Sequence, residues 1–156
     1  METASPNRPL LRDVTLRDGL QLAKELLPTD AKLRLAQTLL ANGVSCIEIG
    51  AAVRPDRVPA MADTMELVGL LDDSERDRVW VLVPNLKGAQ RAVDAGVRNI
   101  EYVLSVTDGH NRANVGRETE ASVAELPAIE ELVREADGTL QVSLSTSFSC
   151  PYEGAV

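Results

Sequence analysis

Three residues in a row, Arg17-Asp18-Gly19, combine groups that could do chemistry together. A guanidinium can clamp a carboxylate or stabilise a developing oxyanion. A carboxylate can ligate a hard divalent cation through oxygen. Glycine permits the tight turn that would present both. Taken alone, the triplet reads first as a surface turn with a local ion pair. Glu48 adds a second carboxylate inside the apolar run Cys46-Ile47-Glu48-Ile49. A charge there needs a partner, and Arg17 or a metal-bound water is the expected one; a strand-end carboxylate reaching solvent is the alternative. Asn85 and Lys87, in Pro84-Asn85-Leu86-Lys87-Gly88, offer an amide and an ammonium suited to phosphate or carboxylate, or simply a helix N-cap and a solvated lysine. His110, the single histidine, is expected in a loop as a structural or exposed residue. Cys150 has no evident base beside it and is expected as a packed thiol. Tyr152 and Glu153 either shape a site or open the next helix.

The elements that would position these groups follow from apolar periodicity. Leu10 to Leu16 reads as a short strand. Pro28-Thr29-Asp30 opens a helix with Thr29 as its N-cap, and Leu33, Ala36, Leu39 and Leu40 recur at helical spacing. Gly43 closes that helix in the left-handed conformation, and Val44 to Ile49 follows as a strand. Pro55 to Leu71 is helical, with Pro59 confining the regular part to its later half. Val79 to Val83 is a strand, Lys87 to Ala95 a helix, and Asn99 to Val106 a strand. Glu118 to Ala136 is a helix that Pro127 starts or kinks, and Leu140 to Thr146 is a fifth strand. Cys150-Pro151-Tyr152-Glu153-Gly154 is a turn. Each reactive group therefore sits just after, or at the end of, a strand, where catalytic groups collect in parallel α/β folds.

Strands alternating with helices imply a parallel sheet, and short apolar strands with little alternation fit burial on both faces. A doubly wound open sheet and a barrel share this grammar. The first strand is followed by no Gly-x-Gly-x-x-Gly and the chain carries no P-loop, which disfavours nucleotide binding of those kinds. The 156 residues are ample for one core but fall short of the roughly 250 of a full (β/α)8 barrel. Hydrophobic residues at 44% and charged residues at 26% mark an ordinary globular composition. With aromatics at 3%, the core must be built from aliphatic side chains. A net charge of −8 argues against nucleic acid, while leaving room for an anionic ligand at a local arginine cluster. No apolar run approaches a membrane span. Two widely separated cysteines and a polar leader over residues 1–9 without an apolar segment point to a reducing cytoplasm.

Four segments, in order, resemble the 3-hydroxy-3-methylglutaryl-CoA lyase family. They are Leu16-Arg17-Asp18-Gly19-Leu20-Gln21; Ile47-Glu48 with Arg54-Pro55 and Val58-Pro59-Ala60-Met61-Ala62-Asp63; Pro84-Asn85-Leu86-Lys87-Gly88; and Cys150-Pro151-Tyr152-Glu153-Gly154. Related condensing synthases usually carry Glu where Leu20 stands, so a synthase is the disfavoured alternative. The resemblance implies a partial (β/α)8 TIM barrel of about four βα units plus a fifth strand. It places the N-terminal half of that barrel over residues 10–156, with the C-terminal half absent.

The resemblance further implies a retro-Claisen cleavage of a 3-hydroxy-acyl-CoA to acetyl-CoA and a keto acid, dependent on Mg2+ or Mn2+. Asp18 would be a metal ligand, Arg17 the stabiliser of the enolate oxygen, and Glu48 the residue orienting Arg17 or a metal-bound water. Gln21, Asn85 and Lys87 would bind substrate. The family completes its metal site with a His-x-His pair and an Asn from later segments, and also uses a cysteine on a later glycine-rich loop; this chain has one histidine. The site is therefore expected to be incomplete and the isolated chain inactive or nearly so. The alternative is a non-catalytic half-barrel that pairs with itself or with a complementary chain. Ile49-Gly50-Ala51-Ala52 also stand where the family often has hydroxylated residues, so the acyl group is left open.

Overall fold

The computed structural model describes residues 10–156; the polar leader at 1–9 lies outside the described residues. β1 (Arg12–Asp13) runs into a π-helical turn, Thr15–Gly19, and then α1 (Thr29–Ala41). β2 (Cys46–Ala51) is followed by a 3-10 turn at Pro59–Met61, α2 (Thr64–Gly69) and α3 (Asp73–Arg76). β3 (Val79–Val83), α4 (Leu86–Asp94) and β4 (Asn99–Ser105) come next. After them lie α5 (Asp108–Val115), α6 (Thr119–Val123), α7 (Leu126–Glu135) and β5 (Thr139–Ser145). The described chain ends in a small antiparallel pair, β6 (Ser149–Cys150) and β7 (Gly154–Ala155). The five main strands are parallel and ordered β1-β2-β3-β4-β5, each beside its sequence neighbour. That order is one half of a barrel wall, not a doubly wound sheet, whose order would reverse.

The two faces of the wall differ. Val79, Val81 and Val83 of β3 and Ile100, Tyr102 and Leu104 of β4 are buried with Ile129 and Val133 of α7 in one aliphatic core. The Tyr102 hydroxyl donates to the Ser122 carbonyl at the end of α6, 2.8 Å away. On the other face Leu82, Glu101, Val103, Ser143 and Ser145 line a concave surface. The expectation of strands apolar on both faces therefore fails on β4 and β5, where Glu101, Ser143 and Ser145 point inward beside Val103.

Several boundaries differ from the sequence reading. The first strand shrinks to Arg12–Asp13 because only those residues pair with β2, and the chain then winds into the π turn. Thr29 is the first helical residue, not the cap; its hydroxyl donates to Asp63 at 2.8 Å instead. The expected helix from Glu118 to Ala136 is two helices, broken before Pro127. The region of His110 forms α5, closed by Gly116 at φ 78°. Gly43, at φ 87°, ends α1 as expected.

β2 carries the main irregularity, a bulge between Glu48 and Gly50 against β3. At Gly50 an added Cβ would lie 2.4 Å from the Thr64 hydroxyl oxygen. That oxygen accepts from the Ala51 N–H at 3.3 Å and donates to the Met61 carbonyl at 2.9 Å. The close approach of α2 to β2 therefore requires glycine. Gly50→Ala is expected to lower the urea unfolding midpoint by the equivalent of about 2 kcal/mol, as overpacking against a fixed side chain does; an unchanged midpoint would contradict the account.

Candidate active site

Arg17 leaves the π turn toward the strand ends. Single-turn π segments recur at functional sites. Its Nε donates to Glu48 Oε1 at 2.6 Å and its NH2 group to Oε2 at 3.1 Å, a two-point fork. Its NH1 group donates to Asp18 Oδ1 at 2.8 Å. A guanidinium has five N–H groups; three are used here, which leaves one on each terminal nitrogen for a ligand.

Glu48 is 1% exposed in the middle of β2. Burial pushes its carboxyl above the ordinary carboxylate range, and the Arg17 fork and charge pull it back. The partner expected from sequence, Arg17, is thus the one it has. Arg17 itself is held above its usual value: burial alone would lower it, but the bond to Glu48 and its charge outweigh that.

Arg17 borders a groove of about 650 Å3 on the concave face of the strands, with Glu48 buried behind it. Its walls include Arg17, Gln21, Asn85 and Glu101, with Arg54 and Arg57 from the loop after β2. Such a volume suits a small-molecule ligand. Of the three arginines at the groove, Arg17 is paired with Glu48 and Asp18 and Arg54 with Asp56, which leaves Arg57, among the described residues, as the groove arginine without an ion pair.

Not every residue expected at the site is brought to the groove. Gln21 and Asn85 line it, although Asn85 also caps α4 by accepting from the Gly88 N–H at 2.7 Å. Lys87 lies exposed in the first turn of α4 and is not among the lining residues. Asp18 is on the solvent side of Arg17, its side chain 59% exposed. Among the described residues no group of three or more His, Cys, Asp or Glu side chains could hold a metal ion. A hard dication takes about six oxygen ligands, and one exposed carboxylate already bonded to an arginine does not supply them. The residues described do not by themselves fit a resident Mg2+ or Mn2+.

His110 packs near Tyr152, with ring centroids 6.1 Å apart, and its Nδ1 lies 2.7 Å from the Ser105 hydroxyl. Cys150 is a buried, free thiol; Thr107 donates to its sulfur at 3.0 Å. Both serve packing of the β4 and β5 ends. The residues that sequence reading missed are Glu101 and Ser143 on the groove floor and the arginines at its mouth. The alternation Asn99, Glu101 against Ile100, Tyr102 was the signal for the floor.

Comparison with known proteins extends this picture. The family model described as HMGL-like matches residues 8–156. The chain is 36% identical to an (R)-citramalyl-CoA lyase of Chloroflexus aurantiacus, covering 92% of this chain and 49% of that protein. It is 31% identical to a hydroxymethylglutaryl-CoA lyase of Bacillus subtilis, covering 95% of this chain and 50% of the relative. An HMG-CoA lyase from A. baumannii, solved with coenzyme A and 3-methylmalate, superposes with a TM-score of 0.85 at 34% identity. That match covers 94% of this chain and 48% of the other. The chain thus spans about half the length of the curated relatives it matches.

Proposed function

Because the chain belongs to the HMGL-like family, we propose that its groove takes a coenzyme A thioester and that the chain is the substrate-binding half of a carbon–carbon lyase. The observation that carries this reading is the buried Arg17–Glu48 fork with two guanidinium N–H groups left free at the groove. The reaction is a retro-Claisen cleavage. A base removes the proton of the 3-hydroxyl, a carbonyl forms at that carbon, and the C2–C3 bond breaks. The electron pair moves onto the thioester and places negative charge on its oxygen, and the enolate then takes a proton at C2 to give acetyl-CoA. Arg17 stabilises that oxygen, the electrostatic contribution that usually dominates such steps. Glu48 holds Arg17 in one orientation and is a positioning residue. Gln21 and Asn85 contact the thioester from the groove wall, and Lys87 meets the carrier only where it extends beyond the groove.

Named relatives act on citramalyl-CoA and on hydroxymethylglutaryl-CoA, so both are the first substrates to test. Asp18 offers one oxygen ligand to Mg2+ or Mn2+, and the rest must come from outside the described residues. Calorimetric titration of the chain with Mn2+ is expected to give no saturation in the micromolar range; tight, Asp18-dependent binding would contradict this. With either thioester and Mg2+, release of acetyl-CoA by the chain alone is expected to stay well below the ~1–1,000 per second of ordinary enzymes. Turnover in that range would overturn the view that further ligands are required.

The alternative of a half-barrel completed by other polypeptide draws support from the sheet. β1 and β5 are its edge strands, and Leu144 on β5 is 57% exposed. Unpaired edges and an uncovered apolar face call for more chain, whether the same polypeptide, a second copy or a complementary subunit. No described helix is long and apolar enough to cross a membrane. Both cysteines are free, which supports a reducing compartment such as the cytoplasm.

A further inference from the structure

The groove has an acidic floor and two unlike sides. On the floor, Ser143 donates to Glu101 Oε1 at 2.6 Å. Arg12 reaches from β1 and donates to Glu101 Oε2 at 2.9 Å and to Gln141 Oε1 at 2.8 Å. Glu101 is 9% exposed and lines the groove, whereas Arg12 does not. A ligand carboxylate laid on the floor would face a second carboxylate in a poorly solvated place, and like charges so placed repel. The anionic end of a ligand is therefore turned from the floor toward the sides.

The strand order sets those sides. The loop after β2 brings Arg54, Arg57 and Val58 to one of them. Asn85, after β3, and Asn114, on the α5 helix that follows β4, form the other. That second side offers amides and no charge, which suits a neutral part of a carrier. On the first side Arg54 is already committed. Its Nε and NH2 groups donate to the two oxygens of Asp56 at 3.0 Å and 2.6 Å. Arg57 stands close enough to Asp56 to add its field, yet among the described residues it makes no ion pair.

The side chain of Arg57 is exposed, but its backbone is held. The N–H groups of Arg57 and Val58 both donate to the Arg54 carbonyl, at 3.0 Å and 3.1 Å. The turn that follows is fixed by Lys32, whose ammonium donates to the Ala60 carbonyl at 2.7 Å. A planar guanidinium with no carboxylate of its own is thus presented to the groove from a positioned turn, and such a fork matches a carboxylate at two points. Beside it Ala51, Val53 and Val58 line the wall. They suit methylene groups and offer no side-chain donor, so the wall itself does not take a carboxylate.

We propose that Arg57 is a specificity-determining residue of the groove: it takes the carboxylate at the far end of the acyl chain, so that the acyl chain lies toward the β2 loop and the carrier leaves past Asn85 and Asn114. This rests on the reading of the groove as an acyl-CoA site and deepens it, because it names the acyl class and the residue that reads it.

The test compares two thioesters of equal chain length, glutaryl-CoA and pentanoyl-CoA, with coenzyme A as reference, by calorimetric titration of the whole chain. Neither thioester carries a 3-hydroxyl, so binding is read without turnover. The wild-type chain is expected to bind glutaryl-CoA about fivefold more tightly than pentanoyl-CoA, the upper scale of a solvent-exposed ion pair. In Arg57→Gln the ratio is expected to fall below about twofold, while coenzyme A and pentanoyl-CoA bind as before. Equal binding of the two thioesters by the wild-type chain, or tighter binding of pentanoyl-CoA, overturns the inference and needs no variant to be folded. A ratio unchanged in Arg57→Gln also overturns it. Weakening of all three ligands alike in Arg57→Gln would mean that the arginine meets the phosphates of the carrier, and overturns it as well. Each of these outcomes leaves the acyl-CoA reading standing. Failure of all three to bind the wild-type chain defeats that reading and the inference with it.

Discussion

Arg17→Ala is expected to lower the stability of the chain by about 3 kcal/mol or more, because it strands Glu48 as an unpaired charge in the sheet. The direction of the pH dependence follows from the same pair. Burial already pushes Glu48 upward, and Arg17 is the group that pulls it back. Without Arg17, the folded-state pKa of Glu48 rises further above its unfolded value. The folded state then binds more protons than the unfolded state, so stability falls as pH rises between those two values. The deficit of Arg17→Ala relative to wild type should therefore shrink as the pH is lowered into the carboxylate range. Urea unfolding at several pH values reads this directly. A deficit that grows on acidification would contradict the account.

A double variant separates stability from function at this pair. Replacing a buried ion pair by apolar side chains of similar size is often neutral or stabilising. Arg17→Met with Glu48→Leu is therefore expected to recover most of the stability that Arg17→Ala loses. It removes the two free guanidinium N–H groups, and with them the site for a thioester oxygen. A fold that tolerates the apolar pair while ligand binding disappears would mean the charges are kept for chemistry.

The second large effect concerns a lysine that sequence reading did not single out. Lys32 is 4% exposed on α1, and its ammonium donates to Asp63 Oδ1 at 2.6 Å and to the Ala60 carbonyl at 2.7 Å. These bonds pin the 3-10 turn Pro59–Met61 against α1, directly after Val58 on the groove wall. Asp63→Ala leaves a buried ammonium with one carbonyl partner and is expected to cost about 3 kcal/mol. Lys32→Met leaves the more exposed Asp63 carboxylate, still bonded by Thr29, and is expected to cost clearly less. Thermal or urea unfolding of the two variants gives the order; the reverse order would show that Lys32 is held by packing of its stem instead.

Much of the architecture was legible because its apolar runs are short, separate and bounded by Gly and Pro. Val79 to Val83 is β-branched at every second position and became β3 unchanged, and Asn99 onward became β4 with one residue fewer. Family resemblance, not periodicity, implied the barrel, and the strand order bears it out. The losses have physical causes. α5 is polar along most of its length and carries one buried residue, Asn111, so it leaves little apolar period; Asp108 in its first turn and Gly116 at its end were its markers. The π turn at Thr15–Gly19 leaves no apolar period, and the Arg17–Glu48 bond that it serves joins residues far apart in sequence. The polar floor was missed for the same reason. Arg12, Glu101, Gln141 and Ser143 come from three strands, and only the parallel register of β4 with β5 brings Glu101 opposite Gln141. Arg17 and Glu48 were legible as a pair because a buried carboxylate must find a cation. Their catalytic use rests on experiment.

The most direct test of the central claim is calorimetric titration of acetyl-CoA into the wild-type chain and into Arg17→Met/Glu48→Leu, with unfolding curves confirming that both are folded. Saturable binding to the wild-type chain that is lost or weakened at least tenfold in the folded double variant is the result expected. Equal binding to both, or none to the wild-type chain, would contradict the assignment of the Arg17–Glu48 groove as an acyl-CoA site.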